Sequence, residues 1–387
     1  MNKQITDSIY YIGVNDKTID LFESQYVVPN GISYNSYLIK DEKNLVMDTI
    51  DKRATDEWYK NLQEALNGEN IDYLVVSHME PDHAYNIGML CSKYPNMKIV
   101  GNEKTFTFIS QFFDVENLDK RKVVVKEGDT LTIGKHTLKF IMAPMVHWPE
   151  VMMTYEISSK ILFSADGFGK FGALDVEEDW DCEARRYYFN IVGKYGAQVQ
   201  AILNKAKTLD IKTICPLHGP ILTENLEHYI EKYNTWSSYT PEDKGVTICY
   251  ASIYGNTKKV AEELAEMLKQ KGVEKVSVFD LARDDLAEAI EDAFRYDRLV
   301  VAASSYNADV FPPMSNFLRA LQGKNYQNRK IAVIENGTWA PSAAKKMLEI
   351  IETMKNIIIC NPIITVRSRM NEKNREEMKE LVEELTK

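Results

Sequence analysis

The chain has 387 residues, a length typical of two or three domains with sizeable apolar cores. Its formal net charge of −10 argues against nucleic acid and anionic membranes as partners. No segment approaches the ~20 consecutive apolar residues of a membrane span, and the N-terminal residues lack the apolar core of a signal peptide. The five cysteines are scattered and form no Cys-x-x-Cys pair, so we expect a cytoplasmic protein with reduced thiols and no thiolate iron site of its own.

The first part of the chain, which we assign to a domain spanning residues 1–240, combines short strands with helices. Strands separated by turns are predicted from Ile9 to Asp48 and again over residues 122–165. Helices are predicted for Asp56–Leu66, Lys104–Phe113, Cys182–Leu209 and Asn225–Trp236. This pattern is typical of an αββα sandwich, in which two sheets pack face to face and helices cover the outside.

The most informative segment of this domain is Ser77–His83, with the sequence SHMEPDH. It follows the apolar run Ile71–Val76, which predicts a buried parallel strand, and precedes a predicted helix over Ala84–Tyr94. A turn that directly follows a buried strand is a common place for a functional site in layered α/β folds.

Four potential metal ligands lie in this turn. If the turn is extended, His78, Glu80 and Asp82 alternate and project to one side, and His83 adds a second imidazole. Such groups would repel one another or stay unpaired without a cation, so the segment predicts a metal site. The alternative is a polar turn in which Asp82 caps a helix, and it explains one of the four residues.

Three further candidate ligands lie where a predicted strand gives way to a loop. They are His147, Asp166 and His218. The other two histidines, His136 in a hairpin-like stretch and His228 in an amphipathic helix, have no such setting. We interpret both as packing or surface residues.

A polar segment at Ser237–Gly245 marks the boundary of a second predicted domain, residues 245–387. Beyond it strands and amphipathic helices alternate regularly. The predicted strands are Val246–Ala251, Val276–Asp280, Arg298–Ala303, Lys330–Glu335 and Ile357–Val366, and a final helix is predicted over Glu372–Glu384. Five such units are typical of a flavodoxin-like, doubly wound parallel sheet of the α/β class.

Three loops of this second domain follow strands one, three and four. The first, Ser252–Thr257, offers hydroxyls, backbone N–H groups and a helix N-terminus, which together can hold a phosphate without a lysine. The alternative interpretation is an ordinary capped helix start. The other two loops, Ser304–Asp309 and Asn336–Pro341, each carry an aromatic residue that could lie against a flavin ring or simply fill a core or surface position.

The pattern His-x-Glu-x-Asp-His, followed by His147, Asp166 and His218 and then by the second domain, resembles the flavodiiron proteins. This family combines a metallo-β-lactamase-like diiron domain with a flavodoxin-like FMN-binding domain, and Glu80 stands where zinc hydrolases of the first fold have a histidine. Carboxylates are harder donors that favour iron over zinc. The resemblance implies that His78, Glu80 and His147 bind one iron, that Asp82, His83 and His218 bind the other, and that Asp166 bridges them. Because some members have water in place of the residue matching His83, its ligation in every state stays open.

The same resemblance assigns FMN to the three loops of the second domain. The implied contact residues are Ser252, Ile253, Tyr254, Gly255, Asn256, Thr257, Ser304, Ser305, Tyr306, Asn307, Ala308, Asp309, Asn336, Gly337, Thr338 and Trp339. The third loop has Ala340 and Pro341 where a glycine-rich version is expected, so its individual contacts stay open. Near the diiron pocket the family pattern places Tyr26 and Trp148, which either shape the pocket or supply a proton, or else are ordinary aromatic packing.

The resemblance also implies an activity and an assembly. FMN would recharge a diiron centre that reduces dioxygen to water, or nitric oxide to nitrous oxide and water. The electrons would come from a separate donor such as rubredoxin, its reductase or a deazaflavin, and the chains would form head-to-tail homodimers or dimers of dimers. Two other functions are weighed: a dizinc hydrolase with a flavodoxin appendage, and a redox or gas sensor that binds without turnover. The sequence leaves open the donor and the preferred gas.

Overall fold

A computed structural model describes residues 3–387, so Met1 and Asn2, the start of the N-terminal stretch considered above, lie outside the described residues. The chain divides into two compact units. The first comprises the chain up to Tyr187 together with Ala197–Asn234, and the second comprises Tyr188–Gly196 and Thr235–Lys387. In the described part of the chain no helix is long and apolar enough to cross a membrane.

The first unit is built on two sheets. Its strands are β1 (Lys3–Gln4), β2 (Ile9–Tyr11), β3 (Val14–Asp16), β4 (Leu21–Phe22), β5 (Tyr26–Val27), β6 (Ile32–Tyr34), β7 (Tyr37–Ile39), β8 (Leu45–Met47), β9 (Tyr73–Val75), β10 (Lys98–Gly101), β11 (Lys122–Val124), β12 (Thr130–Thr132), β13 (Thr137–Met142), β14 (Met152–Glu156), β15 (Ile161–Phe163) and β16 (Thr213–Cys215). One sheet has the order β1-β2-β7-β8-β9-β10-β11 and the other β12-β13-β14-β15-β16. The pairs β3–β6 and β4–β5 form separate small ribbons.

Helices accompany these sheets along the chain. They are α1 (Thr55–Leu66), α2 (Pro81–Ala84), α3 (Ile87–Lys93), α4 (Glu103–Phe112), α5 (Leu118–Arg121), α6 (Trp180–Tyr187), α7 (Gly196–Ala206) and α8 (Leu226–Ser237), with a short 3-10 helix at Lys52–Ala54. Side chains of both sheets share one apolar core, in which Met47 and Val75 of the first sheet meet Phe140 and Phe163 of the second. The predicted sandwich is confirmed, because each sheet buries an apolar face that only the other can cover.

Strand direction brings the candidate ligands to one end of this sandwich. The neighbours β8 and β9 are parallel, with Met47 opposite Val75, and the Ser77–His83 turn follows β9. The neighbours β15 and β16 are also parallel, and Asp166 and His218 follow their ends. Carboxyl ends of parallel strands meet at the same edge of a sheet, so ligands distant in sequence come together.

The chain between α6 and α7 differs from the single helix predicted over Cys182–Leu209. A π-helical turn at Tyr188–Val192 and a 3-10 turn at Gly193–Tyr195 interrupt it. The interrupted segment belongs to the second unit, where the ring of Phe189 stacks on Phe294 with centroids 4.2 Å apart. A Cβ on Gly196 would lie 2.3 Å from the carbonyl oxygen of Ser237, so only glycine permits this approach. Tertiary packing has therefore overridden helical periodicity here.

The second unit is a parallel sheet with helices between its strands. Its elements are β17 (Asp243–Ala251), α9 (Asn256–Gln270), β18 (Val276–Asp280), α10 (Leu286–Arg295), β19 (Tyr296–Tyr306), β20 (Asp309–Val310), α11 (Pro312–Gly323), β21 (Gln327–Asn336), α12 (Ala343–Ile351), β22 (Lys355–Ile359), β23 (Ile364–Val366) and α13 (Glu372–Thr386). The strand order β18-β17-β19-β21-β22 confirms the predicted doubly wound sheet. The fifth predicted strand is split into β22 and β23 around Pro362, which has no N–H to donate to a neighbour.

Candidate metal centre and flavin site

Seven side chains of the first unit meet in two groups at the carboxyl ends of the strands. One group contains His78, Glu80, His147 and Asp166, and the other contains Asp82, His83 and His218. Within each group, the possible ligand atoms all lie within 4.8 Å of one another. The structure thus brings together every metal-ligand candidate named from the sequence.

The turn itself explains why its four residues divide between the groups. The backbone is extended through Glu80, whose ψ is 137°, and helix α2 then begins at Pro81. Proline is well suited to the first helical position because its N–H would have no intrahelical partner. The expectation of an extended turn therefore holds only to Glu80, and the first turn of α2 directs Asp82 and His83 to the second group.

Asp166 lies between the two groups. Its Oδ2 is 3.5 Å from Nε2 of His78 and 3.5 Å from Nε2 of His147. Its Oδ1 is 3.3 Å from Nε2 of His83 and 3.9 Å from Nε2 of His218. One carboxylate with one oxygen toward each group has the arrangement of a bridge between two cations.

Two of the three carboxylates of this site lack the hydrogen bonds that buried carboxylates need, whereas Glu80 lies within hydrogen-bonding distance of His78 and His147. Both oxygens of Asp82 and of Asp166 are buried, and they accept no hydrogen bond from the described residues. Burial favours the neutral form of Glu80, but the imidazoles of His147 and His78 hold its pKa well below the usual range. Burial likewise opposes charge on His78, yet Glu150 and Glu80 raise its pKa well above the ordinary value. The cluster therefore requires positive charge, which two metal cations supply.

Two of the imidazoles are oriented by acceptors behind them. Nδ1 of His78 lies 2.8 Å from Oε1 of Glu150, and Nδ1 of His218 lies 2.7 Å from the carbonyl oxygen of Ser33. Such contacts leave Nε2 free to bind a metal. Nδ1 of His83 is buried and has no hydrogen-bond partner in the described residues, so His83 is held less firmly.

Aromatic rings surround the site, and the sequence identified only some of them. Trp148 is half-buried and lies edge to face against His78, with ring centroids 5.1 Å apart. The ring of Tyr26 lies 6.0 Å from that of Phe171. The rings of Phe22, Tyr187 and Tyr34 surround His218, with centroids 5.3, 5.6 and 5.9 Å from that of the imidazole. Sequence reasoning missed these rings as well as Glu150 and Ser33, because aromatic and polar residues are frequent in any core.

The second unit contains a cavity of about 520 Å³ at the carboxyl ends of its strands, formed by the three predicted loops. It is lined by Ser252, Ile253, Tyr254, Asn256, Thr257, Ser304, Ser305, Tyr306, Asn307, Ala308, Asn336, Gly337, Thr338, Trp339, Ala340, Ser342 and Ser368. Two predicted contact residues, Gly255 and Asp309, are not among the lining residues. Ser342 and Ser368 were missed because neither belongs to the predicted loops.

One end of this cavity is suited to a phosphate. Helix α9 begins at Asn256, after Gly255 has adopted a φ of +90° that favours glycine. The hydroxyl of Ser252 accepts a hydrogen bond from the N–H of Gly255 at 3.0 Å, and the hydroxyls of Thr257 and Ser304 lie 3.0 Å apart. Hydroxyls and free N–H groups at a helix N-terminus bind phosphate oxygens well.

Exposed rings mark the rest of the cavity. Tyr254 is 95% exposed and Trp339 is 87% exposed, although both line the cavity wall. Large rings left in water gain apolar contacts when a flat aromatic ligand lies against them. The third loop is held from behind, since Asn336 donates to the carbonyl oxygen of Ser368 at 2.9 Å and accepts from its N–H at 3.0 Å. The cavity therefore fits a phosphorylated flavin.

Two family models match the chain. An ODP family β-lactamase model matches residues 32–219, and a flavodoxin domain model matches residues 247–384. Among curated proteins, an uncharacterized protein of Methanocaldococcus jannaschii is 33% identical over 94% of this chain and 93% of the relative. The anaerobic nitric oxide reductase flavorubredoxin of Vibrio vulnificus is 30% identical over 90% of this chain and 72% of the relative.

Solved structures agree with these matches. A variant of the flavo di-iron protein of Thermotoga maritima superposes with a TM-score of 0.89 at 27% identity, covering 100% of this chain and 98% of that one. Rubredoxin oxygen:oxidoreductase of Desulfovibrio gigas, at 24% identity, has the same fold with a TM-score of 0.92 and covers 100% of this chain and 98% of that one.

A β-lactamase-type unit with two adjoining groups of metal ligands, followed by a flavodoxin unit with a flavin cavity, defines a metal-dependent flavoprotein oxidoreductase. More narrowly, the chain belongs to the flavodiiron protein family. Its cofactors are FMN and a non-haem diiron centre. The fold, family, enzyme class and cofactors predicted from the sequence are thereby confirmed.

Proposed function

We propose that this protein reduces dioxygen to water, nitric oxide to nitrous oxide and water, or both, with electrons that pass through FMN. The observation that carries the proposal is the position of Asp166 between two ligand groups that are richer in carboxylate than those of a zinc hydrolase. The flavorubredoxin relative, named as an anaerobic nitric oxide reductase, supports nitric oxide as one substrate. When bound, a pair of irons supplies electrons one at a time to a small oxidant.

We assign the ligands of the two irons by the two groups of side chains. His78, Glu80 and His147 would hold one ion, Asp82, His83 and His218 would hold the other, and Asp166 would contact both. Glu80 lies 2.9 Å from His147 and 3.2 Å from His78 and keeps its negative charge between them. A carboxylate at this place gives a hard, anionic site that stabilises the ferric state.

Residues beside the ligands have supporting roles in this proposal. Glu150 and the carbonyl oxygen of Ser33 keep the Nδ1 protons of His78 and His218, so Nε2 of each ring faces the centre. Trp148 covers one face of the site and limits access of water to His78. Tyr26, on β5, is assigned to the pocket wall, where its hydroxyl would supply a proton to the reduced product.

We assign FMN to the cavity of the second unit. Ser252, Thr257 and the N-terminus of α9 would bind its phosphate, and the rings of Tyr254 and Trp339 would lie against the isoalloxazine. We also assign the remaining predicted residues to FMN binding, including Gly255 and Asp309, which do not line the cavity.

The assembly and its surroundings are also proposed. We assign domain limits of 1–240 and 245–387, a cytoplasmic location and a separate electron donor such as rubredoxin or its reductase. The free cysteines of the described residues are consistent with a reducing compartment and form no thiolate cluster that could serve as such a donor. A head-to-tail homodimer, alone or paired as a dimer of dimers, would place the flavin of one chain against the irons of the other.

Gas consumption by the loaded protein tests the proposed function. Protein reconstituted with FMN and two irons is reduced chemically, and the uptake of dioxygen and of nitric oxide is followed with electrodes in separate experiments. We expect many turnovers with at least one gas. Binding without turnover would indicate a sensor, and two zinc ions with hydrolytic activity would indicate a hydrolase; either result contradicts the proposal.

A further inference from the structure

The first unit contains a cavity of about 330 Å³, which opens to the surface beside the metal centre. Its wall includes two candidate ligands, Glu80 and Asp82. Glu80 directly precedes helix α2, and Asp82 lies in the first turn of that helix. Other parts of the wall come from the β4–β5 ribbon and the start of the 3-10 helix. The cavity therefore connects solvent to atoms that face the metal positions.

Negative charge dominates this cavity. Five carboxylates contribute to its wall, those of Asp20, Glu23, Asp51, Glu80 and Asp82. One cationic side chain, Arg53, also lines it. Nε of Arg53 lies 2.6 Å from Oδ2 of Asp16, so its charge is already matched by a buried carboxylate outside the cavity wall. The five carboxylates are left without a matching cation in the wall.

The carboxylates become less exposed from the mouth of the cavity to its inner end. Asp20 and Glu23 are exposed, Asp51 and Glu80 are half-buried, and Asp82 is only 8% exposed. Such a series lets a hydrated cation exchange its waters for carboxylate oxygens in steps rather than all at once.

The innermost carboxylate points to the class of ligand. Oδ1 of Asp82 is buried and accepts no hydrogen bond from the described residues, although the side chain lines the cavity. An unpaired carboxylate oxygen in such a place is costly unless a cation reaches it. A neutral gas gains nothing from a wall of crowded carboxylates, and an anionic reductant is repelled by it.

We propose that this acidic cavity is the route by which ferrous ions enter the protein and reach the two metal positions, with Asp20, Glu23 and Asp51 as transient ligands. The proposal rests on the diiron centre of the proposed function and adds how that centre is filled. Hydrated Fe²⁺ is the cation that passes, and the carboxylates both raise its local concentration and replace its water ligands.

Iron uptake by the FMN-containing full-length protein, freed of metal by chelation, tests the route. Fe²⁺ is added without oxygen in a stopped-flow instrument, and iron not yet bound is trapped with a coloured chelator at increasing times. The variants are Glu23→Gln, Asp20→Asn and their combination, which keep side-chain size and remove charge at the mouth. Asp51 is left intact because its carboxylate also accepts a hydrogen bond from the N–H of Arg53 and caps the 3-10 helix.

We expect the double variant to take up iron about 3–10-fold more slowly than the native protein, because it loses part of the roughly 10–1,000-fold acceleration that electrostatic focusing can give. Raising the salt concentration should slow the native protein more than the variant. The final content should stay at two irons per chain in both. Glu42→Gln, which removes one carboxylate as Glu23→Gln does but in the β7–β8 turn at the other end of the sheet, is the control for that single variant and should leave the rate unchanged.

Two results would overturn the route. An uptake rate unchanged by the double variant would show that iron enters elsewhere, and a lower final iron content would show that these carboxylates hold the irons rather than conduct them. Gas reduction is measured separately on each loaded preparation. A native protein that loads two irons by this route but reduces neither gas would refute the proposed function alone.

Discussion

Oε1 of Glu150 lies 2.8 Å from Nδ1 of His78 and also accepts a hydrogen bond from the N–H of Met79 at 2.9 Å. One buried carboxylate oxygen thus fixes both the imidazole ring and the backbone of the turn that carries it. Because Glu150 is not a ligand candidate itself, its effect on metal binding would pass through the orientation and basicity of His78 and through the backbone of the turn.

Replacing Glu150 should weaken iron binding at His78. In Glu150→Leu the ring loses its acceptor and the N–H of Met79 loses its partner, so we expect iron affinity to fall by roughly 10–100-fold. Competition with a chelator of known affinity measures this loss. Glu150→Gln keeps an acceptor oxygen and should lose less. Equal affinities for the native protein and Glu150→Leu would show that the contact does not orient the ligand.

Glu80 should determine which metal the centre prefers. In Glu80→His the first group loses an anionic donor and gains an imidazole, so we expect metal content to move from iron toward zinc and gas reduction to be lost. Metal analysis of protein grown with both metals, together with electrode assays, provides the measurement. Glu80→Asp keeps the carboxylate and is the matched control, which should retain iron. Unchanged turnover in Glu80→His would contradict the assigned role.

The candidate metal ligands were predictable from the sequence because they follow predicted strands, and the ends of neighbouring strands in a layered fold lie close together. The orienting groups were not predictable in this way. Glu150 lies in the loop just before β14. Ser33 contributes only a backbone carbonyl oxygen, which every residue has. The role of these two groups depends on how distant segments pack together in the folded sandwich. The hydrophobic periodicity of a single segment does not reveal that packing.

In the second unit, too, the loops that follow predicted strands were predictable, but a cavity residue outside those loops was not. The candidate phosphate loop and the two aromatic loops were recognisable because they follow strands at one edge of a parallel sheet. Ser368 was not, since it lies beyond β23 and reaches the cavity only because β23 pairs beside β21. The helix predicted over Cys182–Leu209 is likewise interrupted before Gly196, where the chain packs closely against Ser237, a residue distant in sequence.

Removing one hydroxyl of the phosphate loop should weaken FMN binding. Thr257→Val keeps the shape of the side chain but removes a donor beside Ser304, and we expect the Kd for FMN to rise about 10-fold, the effect of roughly 1.4 kcal/mol. Quenching of flavin fluorescence during titration measures the Kd. Thr353→Val, an exposed change just after α12, is the control and should bind FMN as the native protein does. Identical Kd values for both variants would place the phosphate elsewhere.

The buried residue His136 should make the stability of the first unit depend on pH. Nε2 of His136 lies 2.7 Å from the hydroxyl of Ser8, Nδ1 lies 3.0 Å from Glu156, and the backbone N–H donates to Asp41. The carboxylate of Glu156 raises the pKa of His136 above its usual value; burial and nearby Lys135 oppose this, and Asp41 supports it. The pKa of Glu156 is lowered to about 2: burial alone would raise it, but His136 and the N–H groups after β14 outweigh burial.

The direction of the pH effect follows from these shifts. Since the folded protein binds the proton of His136 more tightly than the unfolded chain does, the stabilisation is fully present below the unfolded pKa of about 6.5 and is lost as pH rises through the higher folded value. We therefore expect the native protein to exceed His136→Gln in unfolding free energy by a larger margin at pH 6 than at pH 9. Urea unfolding at both pH values measures the two margins. Glu156→Gln should reduce the pH dependence, whereas a margin that grew with pH would show that His136 is held neutral.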